Sequence, residues 1–252
     1  MLISIITVAR NSEDTIGDTV RSVIGQTHKD IEYIIVDGAS EDGTLNVLKP
    51  YRQKIAKIVS EPDASVYDAM NKGIALAKGE VIGFLNADDI YAHERVLEKI
   101  CEVFNDRNVQ GCYSDLVYVD KFDLGRVVRY WKSCNYREGL FERGWQPPHP
   151  TFFLRREMFD KYGSFDISFK YAADTELTMR MLAVGAVRAT YLNEVLVKMR
   201  VGGISNRNIR NIVRGNIAVY RACKKCGLRI SPFFIILKIF SRAAQYLRRQ
   251  EA

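Results

Sequence analysis

The chain has 252 residues, of which 47% are apolar and 27% charged, and its formal net charge is +7. That is the composition of a globular protein large enough for one full core, as a single large domain or a domain with an appendage. No stretch reaches the roughly 18 uninterrupted apolar residues of a membrane span, so a spanning helix is not expected.

Met1-Leu2-Ile3-Ser4-Ile5-Ile6 lacks a basic flank and runs directly into an apolar strand, Ile3 to Val8, so no signal peptide is expected. The strand is followed by Ala9-Arg10-Asn11-Ser12. Ile16, Val20, Val23 and Ile24 then recur at helical spacing. A second strand, Ile31 to Val36, ends in Asp37-Gly38-Ala39-Ser40-Glu41-Asp42-Gly43-Thr44, a loop in which Thr44 is expected to cap the next helix. Asp37 can accept from a base imide or a ribose hydroxyl, or simply form an Asx turn into Gly38. Ile58 to Ser60 is a third short strand. Ser65 opens a helix through Ala69, Met70, Ile74 and Ala77, with Gly79 expected at its C′ position.

Val81 to Leu85 is an uncharged apolar run, long enough for a buried strand and too short for a helix. It ends in Asn86-Ala87-Asp88-Asp89. In open α/β sheets ligands gather beyond the carboxyl ends of the strands, so these carboxylates are placed either to hold a hard cation or to cap a helix over His93 to Phe104. Four strands alternating with helices in about 90 residues argue for a parallel, doubly wound sheet, whose usual guests are nucleotides. There is no Gly-x-Gly-x-x-Gly after the first strand and no Walker A sequence, which disfavours a nicotinamide dehydrogenase or a P-loop ATPase.

Beyond Asp89 the pattern changes. Gly111 to Val119 and Arg126 to Trp131 flank a hairpin turn at residues 120–125, and the three prolines of Trp145-Gln146-Pro147-Pro148-His149-Pro150 make a stiff loop. Tyr171-Ala172-Ala173-Asp174-Thr175-Glu176 precedes Leu177, Met181 and Leu182 at helical spacing. Asp174 reads as an N-cap or as a general base. Val187 to Tyr191 and Val195 to Met199 are expected as two strands, followed by a glycine turn over residues 200–206.

From Arg200 onward there are twelve Lys and Arg and one acid, a net of +11, which leaves 7 − 11 = −4 on the preceding 199 residues. Pro232 to Arg249 reads as a basic amphipathic helix, suited to an anionic membrane surface or to docking with its basic face in water. No nucleic-acid recognition module is visible. Five cysteines, with Cys223-Lys224-Lys225-Cys226 lacking a second pair or a nearby histidine, imply reduced thiols in a cytosolic protein rather than a zinc site.

In this order the motifs resemble the family 2 glycosyltransferases, from about Leu2 to Asn206. The opening strand with Thr7 to Asn11 looks like the family's uridine-binding start, and Ile35 to Thr44 like its second nucleotide loop. Asn71-Lys72-Gly73-Ile74 leading into Leu85-Asn86-Ala87-Asp88-Asp89 looks like its path to the Asp-x-Asp metal motif. Asp174-x-Glu176 on a helix ending in Arg180 looks like the site of its catalytic base. The first Asp of Asp-x-Asp is Asn86 here, which moves the metal role to Asp88.

The resemblance implies a GT-A-type α/β fold, a doubly wound mixed sheet over residues 1–206 with a basic helical extension over 207–252. It implies an inverting enzyme that moves a sugar from a nucleoside diphosphate, of the UDP-sugar kind, with Mg²⁺ or Mn²⁺ at Asp88 and Asp174 as base. Contacts to substrate fall to Thr7, Ala9, Asn11, Asp37, Lys72, Asn86, Ala87, Asp89, His149, Glu176, Arg180 and Arg200. It is closest to the bacterial enzymes that elongate O-antigen, capsule or colanic-acid polymers on polyprenyl diphosphate lipids. The acceptor is then a lipid-linked saccharide, and the protein is peripheral on the inner face of the cell membrane. A sugar-phosphate nucleotidyltransferase and a non-catalytic nucleotide-sugar binder are the competing readings.

Overall fold

The computed structural model describes residues 1–202 and 209–229. Its order is β1 (Ile3–Ala9), α1 (Ile16–Ile24), β2 (Ile31–Asp37), α2 (Thr44–Leu48), β3 (Lys57–Ser60), α3 (Val66–Leu76), β4 (Val81–Phe84), β5 (Ile90–Tyr91) and α4 (Val96–Phe104). Then come β6 (Gly111–Val119), β7 (Val127–Trp131), β8 (Phe153–Arg155), α5 (Arg156–Tyr162), α6 (Ala173–Met179), β9 (Ala189–Arg200) and α7 (Ile209–Lys225). Among the described residues the nine strands form one mixed sheet, in the order β3-β2-β1-β4-β8-β6-β9-β5, with β7 on the side of β6.

The first four strands are parallel, as the alternating pattern predicts. Side chains alternate between two buried layers. Ile5, Tyr33, Ile35 and Val81 face α1 and α4, while Ile6, Ile34, Val36 and Ile82 face α3, α5 and α6. A slip of one residue would exchange the two layers, so packing fixes the register. Glycine lets elements close up where a side chain would collide. A Cβ on Gly83 would lie 2.2 Å from the Phe153 ring, and one on Gly73 would lie 2.4 Å from Ile6 Cγ2.

Several local expectations are corrected. Thr44 does not cap α2: it is the first residue of that helix, and its hydroxyl donates to Asp42 Oδ1 at 2.5 Å and accepts from Ser12 N–H at 2.8 Å. Gly79 is not a C′ residue. The extended cap is Ala77, and Gly79 is required because a Cβ there would sit 2.6 Å from the Ser4 backbone nitrogen. Asp89 does not cap α4, whose N-cap is Arg95; β5 intervenes, and Asp89 is fully buried. The two strands expected over 187–199 are one strand, β9. Its register against β6 jumps from Ser114↔Leu192 to Asp115↔Val195, so Asn193 and Glu194 bulge out and mimic a turn in the sequence. Ser65 caps α3 as expected, accepting from Asp68 N–H at 3.2 Å. No disulfide joins cysteines among the described residues.

Helix α7 packs on the body of the protein: Val219, Ala222 and Cys223 are buried in the same cluster as Leu177 and Met179 of α6. Gly203, with most of the glycine turn, and the expected helix over 232–249 lie outside the described residues.

Candidate active site

The parallel strands deliver their carboxyl ends to one edge of the sheet, where Ala9, Asp37 and Ser60 stand side by side in register. Asp37 is fully buried and its carboxylate is occupied locally. Ser40 donates through N–H (3.0 Å) and hydroxyl (2.5 Å), and Ser60 Oγ donates at 2.7 Å. It therefore shapes the loop after β2. Asn11, in the left-handed region at φ 50°, locks that loop to β1. Its N–H donates to Ser40 Oγ at 2.8 Å, and its Oδ1 accepts from Glu41 N–H at 3.0 Å. Thr7 faces the core, with Oγ1 3.1 Å from the Tyr33 hydroxyl. Lys72 clips the loop after β3 through Asp63 (2.6 Å), Glu61 (2.8 Å) and the Pro62 carbonyl (3.0 Å), and these carboxylates raise its pKa. Asp63 is not among the residues expected from the sequence, yet it packs beside Gly38 of the loop after β2, where a Cβ would lie 3.0 Å from its Oδ2. Its signal was its place just past the end of the third parallel strand.

The acidic loop begins where Leu85 N–H donates to Ile6 O at 3.0 Å. A tight turn follows, with Asp89 N–H on Asn86 O (3.0 Å) and Asn86 Nδ2 on Asp89 Oδ2 (3.0 Å). Ala87 is buried in the core beneath. Asp89 Oδ1 is buried with no hydrogen-bond partner among the described residues, and burial, then the charge of Asp88, pushes its carboxyl well above the ordinary range. Asp88 is half-buried. Burial raises its pKa too, against the opposing pull of Arg200. Arg200 staples this corner: Nη1 donates to Asp88 O at 2.8 Å, Nε to Lys121 O in the β6–β7 hairpin at 3.2 Å, and Nη2 pairs with Asp18 of α1.

Phe84, the last residue of β4, links the acidic loop to a second group. Its ring lies 5.4 Å from His149 and 5.3 Å from Phe165; Phe165 stacks at 5.6 Å on Tyr67, whose hydroxyl donates to Asp174 Oδ1 at 3.2 Å. Asp174 is the second residue of α6, partly exposed, and the N-cap is Ala172, in the left-handed region (φ 62°) and without a side-chain cap. The N-cap reading of Asp174 is therefore corrected. Both ring nitrogens of His149 are buried without a partner among the described residues. Burial holds its pKa down against the opposing charge of Asp174, so the imidazole is neutral at neutral pH. Thr175 Oγ1 donates to Gln146 Oε1 at 2.9 Å, which brings the proline-rich loop against α6.

Glu176 and Arg180 pair with each other inside the fold. Glu176 is fully buried and Arg180 grips it with Nε (3.0 Å) and Nη2 (2.8 Å). The remaining Arg180 donors reach the carbonyls of Tyr162, Gly163 (2.9 Å) and Ser164 (2.8 Å). The guanidinium is thereby taken up by the fold, which leaves no free fork for a phosphate. Among the described residues no group of three or more His, Cys, Asp or Glu is arranged to hold a metal ion. Asp88 still fits a hard cation that keeps most of its ligands as water and phosphate oxygens, the habit of Mg²⁺ with nucleotides.

The model of glycosyl transferase family 2 matches residues 4–163. An uncharacterised glycosyltransferase of Mycobacterium tuberculosis is 33% identical over 242 residues, covering 92% of this chain and 89% of its own length. A PGL/p-HBAD biosynthesis glycosyltransferase of Mycobacterium bovis is 29% identical, covering 81% and 79%. Among solved structures, residues 1–349 of S. aureus TarS with UDP-GlcNAc superpose with a TM-score of 0.67 at 16% identity, covering 98% of this chain and 72% of that one. Against the longer TarS chain the coverage is 43%. The mannosyltransferase PcManGT of Pyrobaculum calidifontis, solved with GDP-Man and Mn²⁺, gives 0.65 at 19% identity, covering 95% and 68%. The fold is the GT-A fold of these glycosyltransferases, a mixed sheet with helices on both faces.

Proposed function

We propose a reaction for this chain, which belongs to glycosyl transferase family 2 and is a nucleotide-sugar glycosyltransferase. It is a metal-dependent transfer, with inversion, from a UDP-sugar to a sugar hydroxyl of a polyprenyl-linked acceptor in bacterial surface-polysaccharide synthesis. One observation carries this reading. Phe84, two residues before Asn86, packs on His149 and Phe165, and Phe165 stacks on Tyr67, whose hydroxyl donates to Asp174, so one aromatic group links the acidic Asn86–Asp89 turn to a partly exposed carboxylate.

In this reaction the donor's nucleoside binds against the loops after β1, β2 and β3, which Asp37, Asn11 and Lys72 hold in place. Asp174 accepts the proton of the acceptor hydroxyl as its oxygen attacks the anomeric carbon in line with the leaving diphosphate. Tyr67 keeps the carboxylate turned to its task through its hydrogen bond. Bound at Asp88, Mg²⁺ or Mn²⁺ supplies charge neutralisation for the leaving group. Arg200 contributes by fixing the backbone of Asp88 rather than by touching phosphate. The proline-rich loop beside α6 limits water at the base.

A broad panel of nucleotide sugars, offered to purified protein with Mn²⁺ and again after chelation, tests the reaction. Binding and turnover that require the ion are expected; no binding and no turnover with any donor would overturn it. No helix among the described residues is long and apolar enough to cross a membrane. The basic stretch from Pro232 is proposed to hold the protein on an anionic inner-leaflet surface. Deleting it should weaken sedimentation with anionic vesicles, and unchanged binding would argue for plain packing.

A further inference from the structure

Helix α7 begins more than forty residues beyond the end of the family match, yet it closes on the helix that carries Asp174. Val219, Ala222 and Cys223 are buried with Leu177, Met179 and Met181, and Cys223 Sγ lies 3.7 Å from Met179 Sδ. At its C-terminal end Lys225 reaches across. Its Nζ donates to Glu176 Oε1 at 2.8 Å and to Asp166 Oδ2 at 2.7 Å, and it lies 5.6 Å from the centre of the Phe169 ring.

Glu176 stands two residues after Asp174 at the start of a helical run, seven α-helical residues followed by five in a π-helical turn (Arg180–Val184), so any roll or tilt of that run moves Asp174 with it. The amino end cannot fix the orientation through a cap, because Ala172 has no side chain that could make one. The carboxyl side can. Arg180 sits one turn further along the same helical run and ties it to the carbonyls after α5. Lys225 comes from a different element and ties the same buried carboxylate to α7 through Oε1, the oxygen that also accepts from Arg180 Nε, while Arg180 Nη2 holds Oε2. Two anchors from two directions are what it takes to stop rotation about the helix axis.

We propose that Lys225 is a positioning residue for sugar transfer: by clasping Glu176 from α7 it fixes the turn of α6 from which Asp174 takes the acceptor proton. The chain after residue 206 then belongs to the catalytic apparatus as well as to any membrane contact. This rests on the assignment of Asp174 as the base.

The experiment compares the full chain with Lys225→Met, Lys225→Arg and Lys224→Met, an adjacent exposed lysine that loses the same charge. Turnover is measured with the donor and acceptor that the wild type accepts, and hydrogen exchange is followed over residues 173–179. Lys225→Met is expected to lower kcat by about tenfold or more, since a misplacement near 1 Å can cost about a hundredfold. Donor KM stays within about twofold because the donor site is built from other loops. Exchange in α6 rises, arginine restores kcat to within about threefold, and Lys224→Met behaves as wild type. A kcat in Lys225→Met within about twofold of wild type overturns the proposal, as does a loss of folded protein that arginine does not restore and that accounts for all of the lost turnover. Wild-type protein that turns over no donor would instead overturn the glycosyltransferase reaction itself, and this inference with it.

Discussion

Replacing Glu176 with glutamine removes a fully buried charge from between two cations. The carboxylate accepts from Arg180 at 3.0 and 2.8 Å and from Lys225 at 2.8 Å, with no exposed surface of its own. Glutamine keeps the shape but turns an amide donor toward these donors, leaving buried cationic groups under-satisfied. Breaking a buried pair in this way costs about 3–5 kcal/mol, out of a total stability of about 5–15 kcal/mol. The Arg180 side carries most of it, since its side chain is 17% exposed whereas that of Lys225 is 45% exposed and screened by water. Urea unfolding at pH 7, followed by far-UV circular dichroism, should show the midpoint lowered by about 1 M or more with an unchanged slope.

The pH dependence has a definite sign. Burial alone would raise the Glu176 pKa, but the hydrogen bonds from Arg180 and Lys225 outweigh it and hold the pKa below the ordinary 4.5. The stabilisation is therefore complete above about pH 4.5 and is lost as the pH falls through the lower folded value. Asp166, brought to about 2 chiefly by Lys225 and Ser168, loses its share in the same direction, between its ordinary 3.8 and about 2. The gap between wild type and Glu176→Gln should thus narrow on acidification. A loss under about 1 kcal/mol at pH 7, or a gap that does not narrow by pH 3, would refute the reasoning.

Three further outcomes are expected. Asp174→Asn should reduce transfer by about 10²- to 10⁴-fold while calorimetric affinity for the donor nucleotide stays within about twofold; retained turnover would sink the base assignment. Asp88→Asn should remove the dependence of turnover on added Mg²⁺ or Mn²⁺ together with most of the activity, as read in a metal titration, and a variant still stimulated like wild type would relocate the ion. Gly83→Ala places a methyl 2.2 Å from the buried Phe153 ring and should cost about 1–3 kcal/mol in denaturant unfolding. Adding Phe153→Leu should recover part of that loss, whereas strictly additive effects would mean that the two do not meet.

The first ninety residues are legible in the sequence because their signals are local. Apolar runs at strand length, helical spacing between them and acids just past the strand ends determine a parallel sheet with a ligand edge, and they place Asn86 to Asp89 on it. The same local view fails where a residue's partner is distant. Asp37 and Asp174 each read two ways from their neighbours, and only the fold shows Asp37 enclosed by Ser40 and Ser60 and Asp174 facing Tyr67, 107 residues away. Arg180 and Arg200 are both expected among the substrate contacts. In the structure, Arg180 is bound to Glu176 and to the carbonyls after α5, and Arg200 to Asp18, Asp88 and Lys121, across as many as 182 positions. A charged side chain declares its own chemistry in the sequence, but whether that charge meets a ligand or another part of the chain depends on which segments the sheet order brings together. Periodicity gives the elements and the edge; the long-range pairing of β6 with β8 and β9, and the docking of α7 on α6, decide which of the candidate residues remain open to a substrate.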